Sequence, residues 1–182
     1  MPTLRANVLT EHVSQIFQAY NVPKQTADVV ATSLVLSNLK GHDSHGIIRV
    51  VEYIDWLGKG LVDANATLEV IEEKNTILIT DGHFGFGQLI GREATEKAIY
   101  KCQQEGACIL TIRRSGHLGR IGEFVEIAAE AGIVCFSLTN THGGGILVAP
   151  YGGKERRLSA NPLSAGHDGG TGASPLTSIK HA

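Results

Sequence analysis

Eight histidines are the sequence's main source of chemistry. His42 and His45 lie in Gly41-His42-Asp43-Ser44-His45-Gly46, between two helical stretches. His83, His117 and His142 each follow a stretch that reads as a strand. In α/β proteins the loops leaving the carboxyl ends of strands are the usual ligand sites. Histidine is also the side chain best suited to moving protons near neutral pH. On residue type alone, each is as readily a solvated loop residue as a catalytic one, and His12, His167 and His181 read as surface residues.

The densest cluster is residues 41–46. His42, Asp43 and His45 are metal-ligand types, but a catalytic zinc needs a further, distant ligand, and none stands at a suitable spacing. Acid–base work fits better: a histidine beside Ser44 or Asp43, just before a helix. Arg49, one turn on, supplies a two-point partner for a substrate carboxylate. The plain structural role for Ser44 or Asp43 is a helix cap.

Asp81-Gly82-His83-Phe84-Gly85-Phe86-Gly87 follows a strand and opens a helix, as a dinucleotide fingerprint does. Its spacing fails: Ile90 stands where the third glycine is needed, and Arg113 and Arg114 end the next strand in place of an acid. The glycines therefore read as a turn permitting close backbone packing. Ser115-Gly116-His117-Leu118-Gly119 is a second strand-to-helix elbow; it lacks the Gly-x-Ser-x-Gly pattern of a hydrolase, and His117 reads as a proton donor to a carbonyl. Asn140-Thr141-His142-Gly143-Gly144-Gly145 leaves the third strand, and its glycines read as a loose loop or a phosphate-binding nest.

These loops need elements to hold them. Leu9, Val13, Ile16, Phe17 and Tyr20 recur at helical spacing, ended by Asn21 to Pro23. A second helix, Thr26 to Leu39, turns Val29, Val30, Leu34 and Leu36 inward, and a third carries Ile48, Val51, Ile54 and Leu57. Strands follow at Leu68 to Glu73 and Thr76 to Thr80, then a helix at Leu89 to Gln104 and a strand at Ala107 to Arg113. Next come a helix at Glu123 to Ala131 and a strand at Ile133 to Thr139. This order predicts an α/β fold in which a helical N-terminal layer packs on a mixed sheet. We expect a helical segment at 1–62, an α/β domain at 63–165 and a tail rich in Gly, Ser and Thr at 166–182.

Composition excludes several classes. The chain has 182 residues, with 16 basic against 18 acidic, a formal charge of −2. That balance offers no footprint for nucleic acid or an anionic membrane. Three cysteines, Cys102, Cys108 and Cys135, are an odd set without metal-type pairing, which suits a reducing, cytoplasmic setting. No stretch has the length and apolarity of a signal peptide or membrane span.

Taken together, the segments resemble the malate/L-lactate dehydrogenase family that does not use a Rossmann fold. Its relatives include ureidoglycolate dehydrogenase, diketogulonate reductase and piperidine-carboxylate reductase. The resemblance rests on 41–46 with Arg49 and Tyr53, on Gly58-Lys59-Gly60, on 81–91, on 115–119, and on Val148 to Glu155 running on to Asn161-Pro162-Leu163. It implies NAD- or NADP-dependent interconversion of a 2-hydroxy acid and a 2-oxo acid, or reduction of a cyclic imino acid. By this resemblance His45 and His117 are acid–base residues, and Ser44, Arg49 and Tyr53 lie near a small carboxylate substrate. Thr141, Asn161 and Pro162 lie near the dinucleotide and the full-length form pairs as a homodimer, while the residue spacing gives no metal site. Ser174 to Ala182 departs from the family pattern, and members are longer. The chain is therefore expected to be a truncated α/β domain, with an inactive folding or pairing module as the alternative and a His-loop metal hydrolase as a further one.

Overall fold

The computed structural model describes residues 3–141, 146–168 and 173–179, the last stretch as backbone. The chain divides into two compact units, Met1–Arg120 and Ile121–Ala182. The expected boundary near residue 62 lies inside the first unit.

The first unit opens with α1 (Ala6–Ala19) and α2 (Lys24–Leu39), which pack on each other. A single 3₁₀ turn (Asp43–His45) leads to α3 (Arg49–Gly58). Strands β1 (Glu69–Lys74) and β2 (Ile77–Asp81) form an antiparallel hairpin, with a register irregularity between Val70 and Glu72. Helix α4 (Gly87–Glu105) crosses over to β3 (Ile109–Arg113), which lies parallel to β2 with Ile77 opposite Ile109 and Asp81 opposite Arg113. The sheet is thus mixed, in the order β1-β2-β3. The core gathers Val13, Phe17, Val30, Leu34, Val50, Tyr53 and Phe86.

Two helical faces differ from the expected stripes. On α1, Val13 and Phe17 are buried while Ile16 and Tyr20 are exposed. At α3 the inward residues are Val50 and Tyr53, whereas Ile48 and Val51 are 69% and 77% exposed. The cause is the Tyr53 ring, which is drawn into an aromatic cluster with Phe17 (6.4 Å between centroids), Phe86 (6.0 Å) and Trp56 (5.4 Å). Burying one large aromatic ring outweighs aligning two aliphatic side chains. On α2, Val30 and Leu34 are fully buried and Val29 and Leu36 half-buried, because this helix is covered on most sides.

The second unit packs α5 (Gly122–Glu130) on an antiparallel sheet of β4 (Cys135–Leu138), β5 (Leu163–Asp168) and β6 (Ala173–Ile179). The register sets Cys135 opposite Gly166 and Leu138 opposite Leu163. Residues 166–168 and 173–179, expected to belong to a tail, are strand. Composition hides them because Gly166, His167 and Asp168 are poor strand formers, and pairing with β4 at Gly166 and between β5 and β6 beyond it supplies what propensity lacks. Among the described residues, no helix is long and apolar enough to cross a membrane.

Candidate active site

The first unit brings His45, Ser44, Arg49, Tyr53 and His117 together. The His45 and His117 rings stack, with centroids 5.4 Å apart and planes 20° from parallel. Ser44 Oγ lies 2.9 Å from His45 Nδ1. Arg49 donates from Nε to the Ser44 carbonyl at 2.6 Å and pairs through Nη1 with Glu52. Tyr53, on the buried side of α3, sets its hydroxyl 2.7 Å from His117 Nδ1.

Asn38, which sequence reasoning missed, holds the His45 turn in place. Its Nδ2 donates to Asp43 at 2.5 Å and its Oδ1 accepts from the Ile47 backbone N–H at 2.8 Å. The amide runs directly beneath Gly46, where a Cβ would lie 2.1 Å from Asn38 Oδ1. Glycine at 46 is thus a steric requirement of the turn.

His117 is fixed by contact between two loops. Gly116 N–H donates to the Gly85 carbonyl at 2.8 Å. A Cβ on Gly87 would fall 2.3 Å from the His117 carbonyl oxygen, so only glycine lets the start of α4 approach this closely. The 81–87 segment is therefore the packing turn its failed fingerprint spacing implied.

A second missed feature pins those loops. Asp81, fully buried, accepts from Arg113 Nε at 2.6 Å, Arg114 Nη2 at 2.7 Å and the His83 backbone N–H at 3.0 Å. The Arg114 bond, above all, holds this carboxyl well below the usual carboxylate range, against the effect of its burial. His83 Nδ1 takes a hydrogen from Arg114 at 3.1 Å, so Nε2–H is left to bond Glu69 at 2.6 Å. His83, Phe84 and Arg114 all adopt left-handed backbone angles, with φ of 46°, 60° and 49°. Their strain persists because the Asp81 cluster and the Phe84 N–H bond to the Arg114 carbonyl, at 2.5 Å, hold both strands' ends. The two arginines that spoil a dinucleotide fingerprint are thus counter-ions to Asp81, a pairing two sequence-distant strand ends do not announce.

Electrostatics separate the groups. Burial lowers the His117 imidazole to about 4, helped by the neighbouring His45 and Arg49 charges, so the ring is neutral at neutral pH. Burial pushes the Tyr53 phenol above its usual range, against the opposing hydrogen bond from Gln88. The phenol therefore keeps its hydrogen.

The remaining expected residues belong to the second unit. Thr141 N–H donates to Asn161 Oδ1 at 3.0 Å and Thr141 Oγ donates to the Ala160 carbonyl at 2.6 Å. These bonds clip the exit of β4 to the entry of β5. Thr141 and Asn161 are exposed and Pro162 half-buried. His142 and Gly143 to Gly145 lie outside the described residues. Among the described residues, no three His, Cys, Asp or Glu side chains gather as a metal site.

This arrangement, two stacked imidazoles backed by a phenol and flanked by an arginine on an α/β scaffold, suits proton transfer beside a bound carboxylate. A family model described as malate/L-lactate dehydrogenase matches residues 4–177, and the chain belongs to that family of hydroxy-acid dehydrogenases. It is 40% identical over 148 residues to an L-lactate dehydrogenase of Cupriavidus necator, covering 81% of this chain and 42% of that protein. The solved malate dehydrogenase of Pyrococcus horikoshii superposes with a TM-score of 0.87 at 32% identity, over 100% of this chain and 50% of that one. The delta1-piperideine-2-carboxylate reductase of Pseudomonas syringae superposes with a TM-score of 0.85 at 28% identity, over 100% and 53%. The chain spans less than half the length of the curated relatives it matches.

Proposed function

We propose that this chain carries the proton-transfer side of an NAD- or NADP-dependent oxidoreductase acting on a small 2-oxo or 2-hydroxy acid, or on a cyclic imino acid. The observation that carries the reading is the stacked His45–His117 pair, with Tyr53 on His117 Nδ1 and Arg49 alongside. Reduction of a carbonyl or imine carbon requires a proton at the heteroatom and a cation for the carboxylate. His45, or His117 once it has taken up a second ring hydrogen, delivers the proton, and Arg49 meets the carboxylate by exchanging its Glu52 contact for the substrate. Ser44 orients the His45 ring through Nδ1. Tyr53, its ring buried in the core beside the site, holds His117 with its hydroxyl.

A nicotinamide dinucleotide, when bound, supplies the hydride. Thr141, Asn161 and Pro162 fit a place beside it. The Asn161 oxygen is spent on Thr141, so its amide N–H donors are the groups suited to ribose or phosphate oxygens. A cytoplasmic homodimer acting on free carboxylates, without nucleic acid or membrane, completes the reading.

The test is a titration of the chain with NADH and NADPH, following nicotinamide fluorescence. Saturable binding supports the proposal. A cooperatively folded chain that binds neither supports the alternative of a pairing or folding module.

A further inference from the structure

Gln88 is fully buried in the first turn of α4, next to the Gly87 that touches the His117 backbone. Its Nε2 donates to the Tyr53 hydroxyl at 2.7 Å, and that hydroxyl lies 2.7 Å from His117 Nδ1. We infer that Gln88 is a positioning residue, which acts through the Tyr53 hydroxyl to hold His117 in the tautomer whose Nε2 carries the hydrogen. The inference rests on the reading of His117 as an acid–base group, which it deepens.

The tautomer follows from counting hydrogens. An amide nitrogen donates and cannot accept, so the phenol oxygen must receive the Gln88 N–H. The phenol has one hydrogen of its own, and its burial keeps that hydrogen in place. A buried O–H needs an acceptor, and among the described residues His117 Nδ1 is the one within hydrogen-bond distance, which makes it the unprotonated ring nitrogen. Nε2–H is left as the ring's remaining donor, the form able to hydrogen-bond a substrate carbonyl oxygen and polarise it.

Turning the Gln88 amide around would reverse the whole chain, because its oxygen would claim the phenol hydrogen and His117 would need Nδ1–H. In the observed orientation the buried Gln88 Oε1 accepts no hydrogen bond. The reverse would direct both N–H donors away from the phenol, and an orphaned buried N–H is rarer than an under-used carbonyl oxygen. Consecutive residues of α4 thus set both parts of His117: Gly87 its backbone, Gln88 its tautomer.

The tautomer can be read directly, without turnover, from two-bond 1H–15N spectra of the 15N-labelled 182-residue chain at neutral pH. His117 is assigned by the loss of its signals in His117→Gln. Wild type should show Nδ1 as an acceptor nitrogen and Nε2 as the protonated one. Gln88→Met keeps the shape without either polar group, and should give an averaged mixture of tautomers. Tyr53→Phe, which keeps the ring packing, should give the same mixture. A wild-type Nδ1–H tautomer overturns the inference, as does an unchanged Nε2–H tautomer in the folded Gln88→Met and Tyr53→Phe chains. Either result stands apart from failure of the oxidoreductase reading, which the cofactor titration decides.

Discussion

Acidification should destabilise the folded chain through His117. Burial, His45 and Arg49 hold its imidazole at about 4, against an ordinary value of 6.5. The unfolded chain takes up the proton as pH falls through about 6.5, whereas the folded chain resists it down to about 4. The stability tied to the neutral ring is therefore fully present above about 6.5 and lost progressively toward about 4. At about 1.36 kcal/mol per pKa unit, the gap amounts to about 3 kcal/mol. His117→Gln removes the titrating ring while keeping a polar side chain. Urea unfolding should be followed at about pH 7 and about pH 4 through Trp56, the sole tryptophan, whose ring lies 6.4 Å from that of His117. Between those conditions wild type should lose about 3 kcal/mol more than the variant. Equal losses in the two proteins would refute the claim that the fold desolvates this histidine.

Three further perturbations test the scaffold and the carboxylate site. Gly87→Ala forces a Cβ to within 2.3 Å of the His117 carbonyl, so it should lower stability by about 1–3 kcal/mol in urea unfolding. Gly46→Ala displaces the Asn38 amide from Asp43 and Ile47, at a cost of about 1–3 kcal/mol, and should also shift the His45 ring signals. Arg49→Met, placed in a chimera in which this chain replaces the matched segment of the Cupriavidus necator enzyme, should raise KM for a 2-oxo acid about tenfold or more with a smaller effect on kcat.

Much of the scaffold is legible from sequence, because helix and strand periods in the first 140 residues are strong and their stops are glycine or proline. The α3 face is not, since the Ile48 and Val51 stripe gives no sign that Tyr53 is claimed by Phe17 and Phe86 from other elements. β5 and β6 escape for the opposite reason: their residues have little strand preference, and only pairing, of β5 with β4 and of β6 with β5, makes them strands. The histidine loops can be picked out by residue type and position. What joins them cannot, because the Tyr53–His117 contact spans 64 residues and the Asp81–Arg114 contact spans 33. Gln88 and Asn38 sit inside helices among ordinary polar residues, and no spacing marks either as a support for a histidine.

The proton-transfer role of the histidine pair is read from turnover of the Cupriavidus necator chimera. Oxidation of NADH or NADPH should be followed with pyruvate, oxaloacetate and a cyclic imino acid, in the chimera and in its His117→Ala and His45→Ala forms. Turnover is expected with at least one of these substrates, lowered about 10²–10⁴-fold by loss of the proton-donating histidine. A folded chimera without turnover, or one whose rate survives both substitutions, contradicts that role.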